Sequence, residues 1–356
     1  MKIAVACLDS GSVKEVTFTK DVDTSDPNSP QPSIETFVGI KGDPVLRMIN
    51  TEYGIVLCRK RGAVVLVNDD FEVIRELANL DNVIGLELVK EKVVLVSAQG
   101  QGLVVDLHSG SRISEFRLRQ DLTTFAMHPK DNTIFLSSGL QQLPNVFRLD
   151  LASGELEELW LAKNPKNNRF DLKEENLVTA AAFLPTDEQF VFVTVTKHGK
   201  LRVYDTRHGG RPIQQVEVSK CALKAVAAAS TNSVIVADSQ AKMGLWQISA
   251  NGRLLGYYKG INGSTWTVQT RGRFVAAGGL DRYLRVYETS NRAPAGKIYV
   301  GEEISALVFL QDEDEKRRAD EDELWYELEM ASKVQKIHDE DTDNEEDEEV
   351  FVGFQD

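Results

Sequence analysis

Residues 177–218 read LVTAAAFLPTDEQFVFVTVTKHGKLRVYDTRHGGRPIQQVEV. Within this stretch, four runs rich in Val, Leu, Phe and Tyr alternate with short segments that contain Gly, Asp, His and Pro. Apolar runs of about four to eight residues bounded by turn-forming residues are typical of β-strands joined by hairpins. The stretch therefore predicts four successive strands that form one antiparallel sheet.

The same four-strand unit recurs along the chain, most clearly at 83–117 and 264–300. Third strands end in degenerate forms of the Trp-Asp dipeptide of WD repeats, as in VYDTRHG and VYETSN. Neighbouring units start 38 to 55 residues apart, and a propeller blade takes about 40–45 residues. The repeat predicts a radial array of four-stranded blades rather than a sandwich. First strands are predicted to begin near residues 45, 83, 122, 177, 222, 264 and 304.

The two ends of the chain each supply part of a blade. One strand, 304–311, remains after the last complete unit, and the N-terminus begins with two strands before a polar loop at 20–32. Pairing these strands in one sheet would close the ring and remove two unpaired sheet edges. The fold class expected for residues 1–311 is an all-β, seven-bladed WD40-type propeller with this velcro closure. An eight-bladed ring and two stacked smaller sheets are the alternatives.

The acidity of the chain lies in its C-terminal tail. Residues 312–356 hold 20 Asp and Glu against 5 Lys and Arg, so the first 311 residues carry a net charge of only +1. We expect 312–356 to be an acidic, partly disordered tail with a short helix at 320–337. An apolar stripe on that helix predicts a partner-binding segment that folds on docking, the alternative being a helix packed on the propeller. The stripe contains Leu324, Trp325 and Leu328.

No pattern in the sequence predicts catalysis, a cofactor or a metal site. The five histidines fall in different units or at turns, and paired carboxylates are plentiful only in the tail. The stretch GGLDRYLRVYE, 278–288, lacks the strand-to-helix context of a phosphate-binding loop. We expect it to be a blade corner in which Asp281 accepts hydrogen bonds from turn amides. Three distant cysteines predict buried thiols, and no apolar run reaches the roughly 20 residues of a membrane span.

The candidate interaction surface is the loop WLAKNPKNNRFDLKEEN, 160–176. Connections between blades and connections between second and third strands open on one face of a propeller, so this loop should share a face with LDRY, 280–283. The segment 205–212 should lie on the opposite face. Cations contact phosphates and Asn supplies hydrogen bonds, so the loop predicts docking of an acidic or RNA-bearing partner. The alternative is a solvated loop.

Several segments together resemble one known family. They are MKIAVACLDSGSVKEV, WLAKNPKNNRFDL, NGRLLGYYKGINGS, GGLDRYLRVYE, KIYVGEEISALVFLQDE and DELWYELE. The chain resembles the nucleolar WD-repeat ribosome-biogenesis family, the Nop-seven-associated WD-repeat proteins, from its first strand to its tail.

The resemblance implies a monomeric, non-catalytic scaffold without cofactors that docks on pre-60S particles in the nucleolus of the nucleus. Its partners would be assembly factors, pre-ribosomal RNA through the basic loop face, and an AAA ATPase that later removes it, with no membrane contact. The family's tails commonly end in a lysine-rich segment, whereas this chain ends in acid and VFVGFQD. The partner-binding positions carried over are Lys163, Asn164, Lys166, Asn167, Arg169, Asp171, Asp281, Arg282 and Tyr283.

Two other function classes remain open from the sequence. A generic WD40 adaptor, such as a ubiquitin-ligase substrate receptor or a chromatin reader, would show an aromatic-lined central opening with a charged floor. A hydrolase of the propeller type would need His and carboxylate side chains clustered at the ring axis, and the scattered histidines argue against it.

Overall fold

Short apolar runs form β-strands along the whole folded body in the computed structural model of the protein. The structure describes residues 1–37, 39–166, 171, 174–186, 190–248 and 252–311. The predicted tail, 312–356, with its helix, lies outside the described residues. No helix in the described part of the chain is long and apolar enough to cross a membrane.

The strands are short and evenly spaced. Those of the N-terminal segment are β1 (Lys2–Cys7), β2 (Val13–Thr17), β3 (Val22–Asp23) and β4 (Ser33–Phe37). Blade 1 contains β5 (Val45–Thr51), β6 (Gly54–Arg59), β7 (Ala63–Val67) and β8 (Val73–Asn79). Blade 2 contains β9 (Val83–Val89), β10 (Lys92–Ser97), β11 (Gln101–Asp106) and β12 (Arg112–Arg117). Blade 3 contains β13 (Leu122–Met127), β14 (Ile134–Gly139), β15 (Gln142–Leu149) and β16 (Leu156–Leu161).

The second half repeats this plan. Blade 4 contains β17 (Val178–Phe183), β18 (Val191–Thr196), β19 (Lys200–Asp205) and β20 (Gln214–Glu217), with a 3-10 turn at Thr206–His208. Blade 5 contains β21 (Leu223–Ser230), β22 (Ser233–Asp238), β23 (Met243–Gln247) and β24 (Arg253–Tyr257). Blade 6 contains β25 (Thr265–Arg271), β26 (Phe274–Gly279), β27 (Tyr283–Glu288) and β28 (Pro294–Tyr299). The last strand is β29 (Ile304–Gln311).

Blade 7 is built from both ends of the chain. Its strand order is β29-β1-β2-β4, so the C-terminal strand is innermost and the N-terminal segment supplies the other three strands. The predicted seven-bladed propeller and its closure are therefore confirmed. First strands begin within a residue of every predicted start, at Val45, Val83, Leu122, Val178, Leu223, Thr265 and Ile304.

The hydrophobic core is divided between the blades. Among the described residues, one buried cluster fills each of the seven interfaces between neighbouring blades. The interface between blades 6 and 7 joins Ile3 and Leu307 to Phe274, and the interface between blades 7 and 1 joins Ala306 to Ile55. Burial of apolar surface stabilises the folded state by about 25 cal/mol per Å². Because the split blade has a buried cluster on each side, it is held in the ring like the other blades.

Hydroxyl groups near the axis also link one blade to the next. Several first strands carry a β-bulge near their start, where one residue is left unpaired. The bulge hydroxyl of Thr123 donates to the carbonyl of Val178 at 2.7 Å, and that of Thr179 donates to Leu223 at 2.7 Å. Ser305 of blade 7 donates to the carbonyl of Val45 at 2.6 Å. The last of these bonds connects the C-terminal strand directly to blade 1.

Candidate interaction surface and central channel

We define the front face as the connections between the second and third strands of a blade together with those between successive blades. The back face carries the remaining connections. Because neighbouring strands in each blade are antiparallel, this division follows from the strand order alone. The long connection 162–177 and the corner 280–282 both belong to the front face, as predicted. They lie in different parts of the ring, since the first joins blades 3 and 4 and the second is within blade 6.

Asp281 organises the corner of blade 6. Its carboxylate accepts the backbone N–H of Tyr283 at 3.3 Å and that of Asn262 at 3.2 Å, and it pairs with the guanidinium of Arg285. The side chain of Asp281 is only 10% exposed. The expected bonds to turn amides are present, and they assign Asp281 a structural role at this corner.

The two glycines before the corner permit close approaches, Gly278 to blade 7 and Gly279 to the start of the first strand of blade 6. A Cβ at Gly278 would lie 2.7 Å from the side chain of Ile304, and one at Gly279 would overlap the carbonyl of Ser264. Only glycine fits without displacement of the first strands that line the axis. The corner is therefore packed tightly against its neighbours.

Tyr283 and Arg282 leave the corner in different directions. Tyr283 is half-buried, and its ring lies 5.1 Å from Tyr299, 4.9 Å from the guanidinium carbon of Arg285 and 5.5 Å from the amine of Lys297. Two guanidinium nitrogens of the buried Arg285 have no hydrogen-bond partner. The cation–π contact with the Tyr283 ring compensates part of this charge. Arg282 adopts a left-handed φ of 65° and exposes its side chain. Of the corner residues, Arg282 and Leu280 are presented to solvent, and Arg282 is the charged one.

The start of the long connection is fixed at the edge of blade 3. The N–H of Lys163 donates to the carbonyl of Gly210 at 2.7 Å, and the indole N–H of Trp160 donates to Gly209 at 3.2 Å. We predicted that the segment 205–212 and the long connection lie on opposite faces. The hydrogen bond between Lys163 and Gly210 shows that this separation is wrong at Lys163. The connection between β19 and β20 is long enough to fold back along β16, so the two elements meet.

The end of the long connection is fixed by a buried arginine. Arg202 of β19 is 1% exposed, donates to Asn176 at 2.5 Å and pairs with Glu174 at 3.3 Å. Burial favours a raised pKa for Glu174, but hydrogen bonds from Lys200 and Gln215 and the charge of Arg202 lower its pKa below the usual range. The carboxylate therefore stays ionised and anchors the loop.

Between these anchors the loop presents polar side chains. Lys163, Lys166 and Asp171 are exposed, whereas Asn164 is half-buried. Asn164 lines a cleft of about 280 Å³ together with Glu174 and residues next to it. Two predicted residues of this loop, Asn167 and Arg169, lie outside the described residues, as do Leu324, Trp325 and Leu328 of the tail.

The central channel is lined by the first strands of the blades and is charged. Arg47 and Lys224 reach its lumen, and Glu87 lines it opposite a wall that includes Trp266. Burial raises the pKa of Glu87 to about 7, although an N–H of Met127 and the charge of Arg47 act in the other direction. The charged side chains that line this part of the channel are thus two cations, Arg47 and Lys224, and one carboxyl whose pKa is raised.

The buried histidine of the described body packs among aromatic rings, and the cysteines form no disulfide. His128 is 3% exposed, packs edge-on against Phe183 and Phe190, and accepts the N–H of Asp131 at 3.0 Å. Burial lowers its pKa below the usual range. Over the described residues, no group of three or more His, Cys, Asp or Glu side chains converges as a metal site. All three cysteines are free thiols.

The front face carries a regular row of cations that we did not predict from the sequence. Five successive connections in blades 4 to 6 carry one exposed Lys or Arg each. The signal was present in the sequence, but it appears only when each connection is assigned to a face and the connections are read in ring order. We name these five residues the basic arc: Lys197, Lys220, Lys242, Lys259 and Arg282.

The chain is similar in sequence to known proteins along most of its length. The chain is 25% identical over 350 residues to the protein "Ribosome biogenesis protein nsa1" of Schizosaccharomyces pombe, covering 88% of this chain and 90% of the relative. It is 28% identical over 365 residues to NSA1 of Meyerozyma guilliermondii, covering 88% and 92%. The chain is similar to the NSA1 proteins over most of its length. NSA1 of Saccharomyces cerevisiae is 23% identical over 459 residues, covering 94% of this chain and 99% of the relative.

The NSA1 alignments span most of the chain, so the resemblance predicted from the quoted segments is confirmed. No protein-family model matches the chain. The β-propeller domain of Cps50 (Swd1) from Myceliophteria thermophila superposes with a TM-score of 0.59 at 15% identity, covering 73% of this chain and 88% of that one. The computationally designed Ika8 protein gives 0.55 at 18% identity, covering 75% and 78%. Both support the fold alone.

Proposed function

We propose that the protein acts in ribosome biogenesis as a non-catalytic assembly factor of the large, 60S subunit. The observation that carries the proposal is its homology to the NSA1 ribosome biogenesis proteins over most of the chain. A propeller closed through both chain ends is a rigid ring, and rigid rings with loop-covered faces suit the display of several docking sites. The role requires its localisation in the nucleus and nucleolus.

The surroundings of the polar side chains support a scaffold rather than an enzyme. Asp281 and Glu174 are engaged by arginines and turn amides, and Asp238 accepts three backbone N–H groups near 3 Å. His128 is enclosed by aromatic rings. Side chains that hold turns in place are not available as nucleophiles or general bases at a substrate.

We assign docking on pre-60S particles to the long connection and the corner of blade 6. The long connection is held at both ends, by Gly210 and by Arg202, so its exposed Lys163 and Lys166 are offered from a defined base. Preorganised cations lose less conformational entropy when they meet a partner. Assembly factors and pre-rRNA are the partners expected for this surface.

The test is reversal of charge in the long connection. The variant Lys163→Glu, Lys166→Glu, Arg169→Glu should sediment with pre-60S particles less than the unchanged protein, while its thermal stability stays the same because the described side chains are exposed. Reversal of Lys90 and Arg253, which are exposed on the back-face side of blades 2 and 5, is the matched control. Equal co-sedimentation of the two variants would remove the assignment to this loop.

Release by an AAA ATPase forms a separate part of the proposal. The acidic tail, with Leu324, Trp325 and Leu328, is the expected handle for a release factor. A chain lacking 312–356 should enter pre-60S particles and remain bound to them longer when the ATPase is active. If the shortened chain is released at the normal rate, the tail is not the handle.

A second candidate function is supported by the channel. Trp266, Lys224 and Arg47 all line it, and this combination suits an adaptor that binds an acidic peptide at the axis. Affinity purification of the tagged full chain separates this class from the assembly factor, because an adaptor would bring down ubiquitin-ligase subunits or histones in place of precursor rRNA.

A further inference from the structure

The basic arc is regular in its position. Lys197 lies between the second and third strands of blade 4, Lys220 between blades 4 and 5, and Lys242 within blade 5. Lys259 follows between blades 5 and 6, and Arg282 completes the series within blade 6. Every front-face connection over three consecutive blades, from Lys197 to Arg282, thus contributes one exposed cation.

These cations are not neutralised by the protein body. Among the described residues, none of the five side chains has an ion-pair or hydrogen-bond partner. The one carboxylate on the same connections, Asp281, is occupied by Arg285 and turn amides. Glu217 lies at the strand side of Lys220, and Glu302 and Glu174 lie on the connections beyond the two ends of the arc. Like charges on neighbouring connections repel one another, so an external anion would stabilise the arrangement.

The arc is also held in shape. Its connections are short and closed by backbone hydrogen bonds, such as that from Gly199 to Thr196 at 3.1 Å and that from Ser239 to Ala222 at 2.9 Å. Near its centre, Lys220 and Lys242 line a cleft of about 380 Å³ whose wall includes Cys221. Glu217 lies at the same cleft, on the strand side of Lys220. The backbone therefore fixes the spacing of the cations.

We propose that the basic arc binds the phosphate backbone of RNA. The inference rests on the proposed function, because a ribosomal precursor presents RNA, and it names the partner and the residues that meet it. Four of the five cations are lysines, which act as point charges toward phosphate rather than as bidentate readers of a base or carboxylate. Recognition is expected to depend on charge and not on base sequence.

The composition of the arc favours RNA over an acidic protein. Protein interfaces are anchored by buried aromatic or apolar residues. On the five connections of the arc, all of which are described, Leu280 is the one large apolar side chain that is strongly exposed. Five cations with a single exposed apolar side chain among them match contacts to a phosphate backbone better than an apolar protein interface.

The experiment measures binding of the full chain to a fluorescein-labelled 20-nucleotide poly(U) RNA by anisotropy between 50 and 200 mM KCl. Five phosphate contacts on a single strand give a slope of about −3.5 in log K against log salt, which is a loss of about 100-fold in affinity over this range. The variant Lys220→Glu, Lys242→Glu, Lys259→Glu retains two contacts, so its slope should be about −1.4 and its loss about 7-fold. The back-face control Lys90→Glu, Arg253→Glu should keep the slope of the unchanged chain.

Three outcomes overturn the inference. If poly(U) fails to bind the unchanged chain at 50 mM KCl, the arc is not an RNA-binding site. An arc variant with the slope of the control would place the contacts elsewhere. Poly-glutamate that competes as well as poly(U) at equal charge would assign the arc to an acidic protein. If RNA binding fails while co-sedimentation with pre-60S particles persists, the inference falls and the proposed function stands.

Cys221 provides a second readout at the same surface. Its thiol is partly exposed beside Lys220 and Lys242. Bound poly(U) should slow its modification by a maleimide several-fold, and the arc variant should lose that protection. Unchanged labelling in the presence of saturating RNA would contradict binding at the arc.

Discussion

Leu307→Ala tests whether the C-terminal strand completes the ring. Leu307 is 2% exposed and belongs to the cluster that joins blades 6 and 7, together with Val5 and Phe274. Truncation of a buried leucine costs about 2–5 kcal/mol, because transfer energy is lost and a cavity remains. A propeller of about 310 residues has an unfolding entropy near 650 cal/mol/K, so a cost of about 3 kcal/mol lowers Tm by about 5 °C.

Urea unfolding followed by tryptophan fluorescence supplies the measurement, with Leu310→Ala as the matched control. Leu310 is on the same strand but only partly buried, so its truncation should cost about 1 kcal/mol. Combining Leu307→Ala with Val5→Ala should reveal a coupling energy of at least about 0.5 kcal/mol, as expected for residues that share one cluster. A loss below about 1 kcal/mol for Leu307→Ala, with no coupling to Val5, would refute the packing of the two chain ends against each other.

Further predictions concern the channel, the thiols and the long connection. Because burial raises the pKa of Glu87 from 4.5 to about 7, its neutral form stabilises the fold below about pH 4.5 and this contribution is lost as the pH rises through 7. Glu87→Gln should remove a pH-dependent loss of about 3 kcal/mol in urea titrations; an unchanged pH profile would exclude this assignment. Burial raises the pKa of Cys7 to about 11 and of Cys58 to about 12, so at pH 7.5 a thiol reagent should modify Cys221 first; simultaneous reaction of all three would contradict the buried placement. Arg202→Ala should destabilise the fold by about 3 kcal/mol and speed proteolysis in the connection between blades 3 and 4; cleavage at the normal rate would show that this arginine does not hold the loop.

The ring was predictable because the spacing of its four-strand units is visible in short stretches of the sequence. Alternating apolar runs and turn residues set the strands, and the spacing of first strands set the number of blades. The split blade followed from a count, since the strand at Ile304 had no partners downstream while the strand at Lys2 had none upstream. Closure then depended only on the cost of unpaired sheet edges.

One strand escaped prediction. The polar segment 20–32 contributes β3, whose two residues pair in parallel with Gly296 and Lys297 at the outer edge of blade 6. The pairing is fixed by contacts distant in sequence, such as the N–H of Tyr299 donating to Thr24 at 2.8 Å. A pair of residues in a loop rich in Ser, Asp and Pro carries no periodic signal, so only the tertiary structure reveals it.

The candidate surface was predicted less completely than the fold. Assignment to faces placed the long connection and the corner correctly, because it follows from strand order. It did not foresee that Gly210 would reach Lys163, since a face assignment says nothing about how far a connection folds back. The basic arc was missed for a related reason: each of its cations is unremarkable in its own loop and becomes a pattern only around the ring.

The most direct test of the functional account is affinity purification of the tagged full chain from cells, followed by identification of its RNA and protein partners. The account predicts precursors of large-subunit rRNA together with ribosome assembly factors. Ubiquitin-ligase subunits or histones in their place, with no enrichment of precursor rRNA over an untagged control, would contradict it.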